Sequence, residues 1–275
     1  MTDLIRTTFA GPVDIVKEAI ERIRENSPAK PYVMKNSFGK DSGVVHKLME
    51  LSEVPFDSIH NLTTVDPPEL IKHGMKNYPE TEISRPDFTV KMKDGRTPRI
   101  RNIYQLIIYK GFPPLRNRRY CCDYLKERGI RDCLQVLGKR KEESPARSGI
   151  TLLEECHTDK RQHFFNPIFD WSTKEVWEFT IKYKVPYCCL YDQGFDRMGC
   201  VMCPQACEKQ REFEASFFPK HYVTYLRCFD AMLKFRPDMA EKYNWHNAVE
   251  VMDWWLRRSS NQNDHTVQSI LLEGV

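Results

Sequence analysis

Tyr32-Val33-Met34, then Ser37-Phe38-Gly39-Lys40-Asp41-Ser42, then Val44, Val45, Leu48, Met49 and Leu51 form the stretch on which the fold turns. A short apolar run, a glycine-containing loop and an apolar helical spacing read as strand, loop and helix start. Such a junction points free backbone N–H groups and the positive end of the helix dipole at an anion. Gly39 lets the backbone approach a phosphate, Ser37 and Ser42 offer hydroxyls, Lys40 a cation, and Asp41 a carboxylate suited to Mg²⁺. The same six residues also make an ordinary β-to-α turn with a capping serine, so the motif alone leaves both readings open.

Outward from this stretch, Asp14 is placed to cap a helix whose face is Ile15, Val16, Ala19, Ile20 and Ile23 and which ends near Asn26. Ser58 to Thr63 reads as a second strand. It runs into Thr64-Val65-Asp66-Pro67-Pro68, where a proline starts a helix reaching about Tyr78. Strand, helix, strand, helix predicts a parallel sheet with right-handed crossovers, and the Ser37 loop and the Thr63–Asp66 turn are expected side by side at the carboxyl ends of their strands. His60 reads as a strand residue with a satisfied ring.

From Pro79 to Arg101 the composition predicts an irregular excursion with one short strand. A helix from Ile103 to Lys110 should stop at Gly111. Leu134 to Gly138 is a third strand, delivering Lys139, Arg140, Lys141 and Arg147 to its carboxyl end, where they suit an anion or a solvated loop. Ser172 is a cap for a helix with Val176, Trp177, Phe179, Thr180 and Tyr183 on its buried face. The remainder reads as helical, with Phe213, Phe217, Tyr222, Tyr225, Leu226, Phe229, Met232 and Leu233, and later Val249, Met252, Trp255 and Leu256, as packing stripes. The tail from Ser259 is polar, with Val267, Ile270, Leu271 and Leu272 available to dock.

A length of 275 residues, 29% charged and 41% apolar, bounds the chain to a globular α/β protein with a substantial core. The net charge of +4 is too small to demonstrate a nucleic-acid partner. No apolar run approaches the roughly 20 residues of a membrane span, and Met1 to Arg6 lacks the core of a signal peptide; the expected location is cytoplasmic, with no membrane partner. Ten cysteines in such a chain suit metal, redox or catalytic use better than disulfides. The vicinal pair Cys121-Cys122 and the pair Cys200-x-x-Cys203 supply four soft ligands from two loops, suited to an iron–sulfur cluster or to zinc. Cys207 is a reserve ligand, Cys188 and Cys189 are further candidates, and Cys133, Cys156 and Cys228 read as buried thiols.

Six ordered motifs together carry a resemblance. They are Ser37–Ser42, Thr63-Thr64-Val65-Asp66-Pro67, Arg119-Tyr120-Cys121-Cys122 with Leu125-Lys126, Gly138 to Arg147, Asn166-Pro167 with Asp170-Trp171, and Gly199-Cys200-x-x-Cys203-Pro204. Their order resembles that of the phosphoadenosine phosphosulfate (PAPS) reductase family, within the PP-loop ATP pyrophosphatase superfamily. The resemblance implies a doubly wound, mainly parallel α/β fold (adenine nucleotide alpha hydrolase-like) with a helical C-terminal part. It implies a nucleotide-binding domain over 1–205 with inserted cysteine loops, and a helical extension over 206–275 packed on it.

The resemblance also implies an adenine-nucleotide site at Ser37, Phe38, Gly39, Lys40, Asp41, Ser42, Thr64, Gly138, Arg140 and Arg147. Lys40, Asp41 and Asp66 take the catalytic positions, the two acids with Mg²⁺. A [4Fe–4S] cluster on Cys121, Cys122, Cys200 and Cys203 is implied by the adenosine phosphosulfate (APS) reductase branch, with zinc as the alternative. Two departures shape the functional expectation. The last cysteine is Cys228, within a helical pattern, whereas sulfonucleotide reductases carry their nucleophile in a mobile C-terminal segment. The Gly-Lys-Asp-Ser of the loop resembles relatives that split ATP between the α and β phosphates. The leading expectation is therefore ATP α–β cleavage coupled to sulfur transfer, with a sulfur donor or redox protein and a nucleic-acid acceptor as candidate partners. APS or PAPS reduction, and a non-catalytic nucleotide-binding regulator, are the alternatives.

Overall fold

The computed structural model describes residues 4–9, 11–92, 95–127, 130–156 and 160–258; the polar tail read from Ser259 onward lies outside them. In chain order the elements are β1 (Ile5–Thr8), β2 (Gly11–Asp14), α1 (Ile15–Glu25), β3 (Tyr32–Lys35), α2 (Lys40–Ser52), β4 (Phe56–Asn61), α3 (Pro68–Asn77) and β5 (Glu82–Ser84). There follow β6 (Phe88–Thr89), β7 (Arg99–Ile100), α4 (Ile103–Lys110), β8 (Cys133–Val136), β9 (Leu153–Glu155), β10 (Gln162–Phe165) and α5 (Thr173–Lys182). The chain closes with α6 (Glu208–Phe217), α7 (Pro219–Phe235), α8 (Pro237–Tyr243) and α9 (Ala248–Arg258). Among the described residues no helix is long and apolar enough to cross a membrane.

The chain divides into two compact units, Met1–Asn61 with Pro67–Ser84 and Gly129–Gly199, and Leu62–Asp66 with Arg85–Arg128 and Cys200–Val275. The division does not fall at residue 205, because the helical unit also takes in the Thr63–Asp66 turn and the segment carrying Cys121 and Cys122.

The first unit is a doubly wound, mainly parallel sheet in the order β5-β4-β3-β8-β10-β9, antiparallel only between β10 and β9. The central strand β3 buries Tyr32 and Met34 completely. Around them pack Ile15, Val16, Ala19 and Ile23 of α1, Val44, Val45, Leu48 and Met49 of α2, Val136, Phe165, and Val176 and Phe179 of α5. The expected caps are present: Asp14 accepts from the Val16 and Lys17 N–H groups, and Ser172 forms a reciprocal capping box with Glu175. Asp170 ties the N-terminal elements to the loop before α5, accepting hydrogen bonds from Arg6 and Arg22. From β3 the chain runs outward through β4 to β5, while β8, β10 and β9 lie on the other side. The strand order therefore reverses between β3 and β8, and the crevice at their carboxyl ends is where open α/β sheets bind ligands.

Two expectations are corrected. The segment Pro79 to Arg101 holds three short strands rather than one: β5 extends the main sheet, and β6 pairs with β7 as a hairpin in the second unit. Its Pro, Lys and Gly content hides the alternation that buries Phe88, Val90 and Ile100. In the helical unit, Phe213, Phe217 and Val249 are exposed instead of packed. The inner face of α6 carries Arg211 and Glu214: the Arg211 guanidinium donates to the Trp255 and Leu256 carbonyls at the end of α9, and Glu214 accepts from the Met202 N–H. Buried charges with backbone partners have displaced the aromatic stripe that spacing alone suggested. Tyr225, Phe229 and Met232 of α7 and Trp255 of α9 pack as expected.

Candidate active site

The phosphate loop occupies the switch point. Asn36 anchors it, its N–H donating to the Ile59 carbonyl and its Oδ1 accepting from the Phe38 N–H. Phe38 has φ +61, a left-handed conformation uncommon for a residue with a side chain and characteristic of functional loops. Its ring is driven inward, 1% exposed, and stacks on His60 with centroids 4.3 Å apart. The ring nitrogen Nδ1 of His60 bonds the Asn36 carbonyl at 2.8 Å, and His60 lies in β4 as expected of a strand residue.

This inward ring requires Gly74 on α3, where an added Cβ would overlap the Phe38 ring. Gly74→Ala is expected to destabilise the protein. Alanine's helix propensity contributes about 1 kcal/mol, but overpacking costs about 1–3 kcal/mol, and the ring, already stacked, has little room to yield. A lower melting temperature together with weakened nucleotide binding is the expected result. An unchanged loop affinity would disconnect Phe38 from the loop's shape.

After Gly39 the chain enters α2, and its first intrahelical bond runs from the Gly43 N–H to the Gly39 carbonyl. The N–H groups of Lys40, Asp41 and Ser42 precede it, in the position that serves anions. The Ser42 hydroxyl donates to the Gly39 carbonyl, and the Ser37 hydroxyl donates to Ser42 Oγ. Gly138, after β8, lies so close to α2 that a Cβ there would stand 3.0 Å from the Asp41 carbonyl, which brings the two sequence-predicted loops together at the crevice.

Lys40 is 8% exposed, and its ammonium donates to Asp41 Oδ2 at 3.1 Å and to the Asp196 carbonyl at 3.4 Å. Arg140, the residue expected to grip an anion, lies against Asp41 at the start of α2. Fully buried, it donates to Asp41 Oδ1 at 2.6 Å and to the Trp171 carbonyl. Arg147 likewise pairs with Glu143. Sequence reasoning missed Tyr191, whose hydroxyl accepts the Lys40 backbone N–H at 2.9 Å across 151 positions of chain; no local signal marks such a contact.

The second unit gathers the thiols. Cys122 opens a π-helical turn, Cys122–Lys126, a distortion common at functional sites. Cys200 donates to the Thr63 hydroxyl, the Val201 N–H bonds the Val65 carbonyl, and the Cys203 N–H bonds the Cys200 carbonyl, folding the C-x-x-C segment onto the Thr63–Asp66 turn. Thr64 has φ +69, and its hydroxyl accepts from the Ile103 N–H at the start of α4. Asp66 Oδ2 accepts from the Thr63 N–H at 2.7 Å.

The hydrogen bond from Cys121 to Cys122, burial, and the neighbouring Cys122, Cys200 and Cys203 push the Cys121 thiol far up. Burial raises Cys200 to about 12 despite the nearby Lys126. Cys200, Cys203, Cys122 and Asp66 raise the half-buried Lys126 ammonium against its desolvation, so this lysine is a counter-charge beside the thiols. Among the described residues no three His, Cys, Asp or Glu side chains stand close enough to hold one metal ion. In donor chemistry the set suits a soft metal: four thiols from two loops and a half-buried cation to balance their charge. Cys207 is exposed at the start of α6, and Cys188 and Cys189 belong to the first unit.

The profile of the phosphoadenosine phosphosulfate reductase domain matches residues 31–206. The chain belongs to that family. An uncharacterized protein of Methanocaldococcus jannaschii is 27% identical over 201 residues, covering 70% of this chain and 39% of the relative. The adenosine 5'-phosphosulfate reductase of Neisseria meningitidis is 28% identical over 142 residues, covering 42% of this chain and 58% of the relative. The chain thus spans about half the length of the curated relatives it matches. Among solved structures, the PAPS reductase from Candida auris in a phosphate complex aligns with a TM-score of 0.49 at 17% identity, covering 68% of this chain and 89% of that one. The matched span of the PAPS reductase family contains the phosphate loop, the Thr63–Asp66 turn, the Gly138–Arg147 segment and both cysteine pairs.

Proposed function

We propose that this chain binds an adenine nucleotide at the Ser37–Ser42 loop, cleaves ATP between the α and β phosphates, and couples the adenylylated acceptor to sulfur transfer at the four-cysteine group. The observation that carries the nucleotide half is the start of α2 at the switch point of the sheet in a PAPS reductase family member, with the Lys40 ammonium beside it. Lys40 and the loop N–H groups stabilise charge growing on the pyrophosphate leaving group, and the Arg140 contact orients Asp41. Asp41 is the carboxylate assigned to Mg²⁺, which would neutralise phosphate charge, and Asp66 of the second unit keeps its expected catalytic assignment. Cys121, Cys122, Cys200 and Cys203 are the ligands assigned to a [4Fe–4S] cluster or zinc, which supplies a soft Lewis-acid centre for sulfur. A sulfur donor or redox protein, and a nucleic-acid acceptor, are the partners this reading calls for.

A second reading, APS or PAPS reduction, is favoured by the name of the Neisseria relative. It needs a thiol nucleophile, and Cys228 is ill suited: it is buried in α7, donates to the Tyr104 carbonyl, and burial pushes its thiol up to about 12. Cys228→Ser is expected to keep turnover within about twofold, as for a packing residue. Loss of a trapped thiosulfonate intermediate in that variant would reverse the order of the two readings. Incubation of the protein with ATP and Mg²⁺, followed by assay of AMP and pyrophosphate, tests the leading reading. Formation of both supports it. Sulfite released from APS or PAPS, with no AMP or pyrophosphate from ATP, favours the reductase, and nucleotide binding without turnover favours a regulator.

A further inference from the structure

Tyr191 lies in the 3₁₀ turn Cys189–Gln193, its ring edge-on to Trp177 at 5.3 Å and its face 5.6 Å from the Lys40 ammonium. Its hydroxyl oxygen accepts the Lys40 N–H at 2.9 Å, and the Met198 N–H also acts on it. Gly39 makes room for it: a Cβ at that position would stand 3.3 Å from the phenol oxygen and 3.9 Å from Met198 Cβ. The Lys40 N–H belongs to the first turn of α2, among the donors that a helix leaves without an intrahelical acceptor. Burial raises the phenol's pKa and the Asp41 carboxylate acts in the same direction, so a neutral oxygen sits at the backbone donors of the helix N-terminus. A charged phosphate oxygen makes a stronger hydrogen bond to the Lys40 N–H than a neutral phenol oxygen does.

We propose that the Tyr191 hydroxyl is a built-in occupant of a phosphate-oxygen seat at the start of α2, and that pyrophosphate binds there by displacing it. The proposal rests on the nucleotide-site reading of the loop and adds a device to it. The intramolecular acceptor competes with the phosphate, lowering the loop's affinity and favouring release of a pyrophosphate product. Tyr191 is then a positioning residue that gates the loop. A purely structural clamp, holding the loop in shape, gives the opposite sign on removal, since loss of the clamp weakens binding.

Titration of the full chain with magnesium pyrophosphate, wild type against Tyr191→Phe, separates the two. Phenylalanine keeps the ring against Trp177 and deletes only the competing oxygen. The expected result is about fivefold tighter pyrophosphate binding by the variant, the scale of one net hydrogen bond. In the wild type, pyrophosphate is expected to change the Trp177 emission as the Tyr191 ring shifts, and Trp177→Phe to remove that change. Binding by the variant alone also supports the proposal. Binding by the wild type that is equal or weaker in Tyr191→Phe overturns the gate and leaves the nucleotide site standing. No binding by either protein overturns the nucleotide site and the gate with it.

Discussion

Lys40→Ala is expected to lower AMP and pyrophosphate formation by about 10²- to 10³-fold, the usual loss when one preorganised charge facing a leaving group is removed. The ammonium is nearly buried beside Asp41 and the start of α2, so its field is little screened by water. Its partners are a partly exposed carboxylate and one carbonyl, and both can be rehydrated after truncation, so the fold should survive. Asp41→Ala is a different experiment. It removes the carboxylate that faces the fully buried Arg140 guanidinium, at a cost of up to about 3 kcal/mol, the low end for a buried pair because Asp41 is itself partly exposed. Lost turnover in that variant therefore mixes chemistry with unfolding. Asp41→Asn, which keeps an acceptor for Arg140, is the cleaner test of the assignment to Mg²⁺. Undiminished ATP cleavage in both Lys40→Ala and Asp41→Asn, at unchanged melting temperature, would remove the loop from the mechanism.

Protein purified without oxygen is expected to be brown and to carry iron and sulfide in about a four-to-four ratio, and Cys200→Ala or Cys203→Ala to remove both. Thiolate ligation couples metal binding to the folding of the loops that carry the ligands. The C-x-x-C segment bonds the Thr63–Asp66 turn, so the loss should also loosen residues 62–66, read as faster amide exchange at Val65 and Val201. Single changes at Cys121 and Cys122 report which of the vicinal pair is indispensable. Cys207→Ala should keep the metal if that exposed thiol is only a reserve. Stoichiometric zinc without iron would refute the cluster and spare the four-thiolate site. Full metal retention in Cys200→Ala and Cys203→Ala would refute the site itself.

What the sequence determined by itself is local. The strand, phosphate loop and helix from Tyr32 to Leu51, the face and cap of α1, the stop of α4 at Gly111 and the capping box of α5 follow from side-chain periodicity and from terminal N–H and C=O groups that only certain residues satisfy. Cys121, Cys122, Cys200 and Cys203 fall in one unit, together with Cys207 and Cys228, and among the described residues no three metal-ligating side chains stand close enough to hold one ion. Tertiary structure alone decided who faces whom. Arg140 reaches Asp41 across 99 positions, and Tyr191 reaches the Lys40 N–H across 151. The Thr63–Asp66 turn leaves the sheet that precedes it to join the cysteines, and Arg211 takes the inner face of α6 that the aromatic spacing had assigned to Phe213 and Phe217. Periodicity reports which face of an element is buried through the average cost of exposing apolar surface. A buried charge or hydroxyl is placed by one specific partner, and that partner leaves no trace in the residues next to it along the chain.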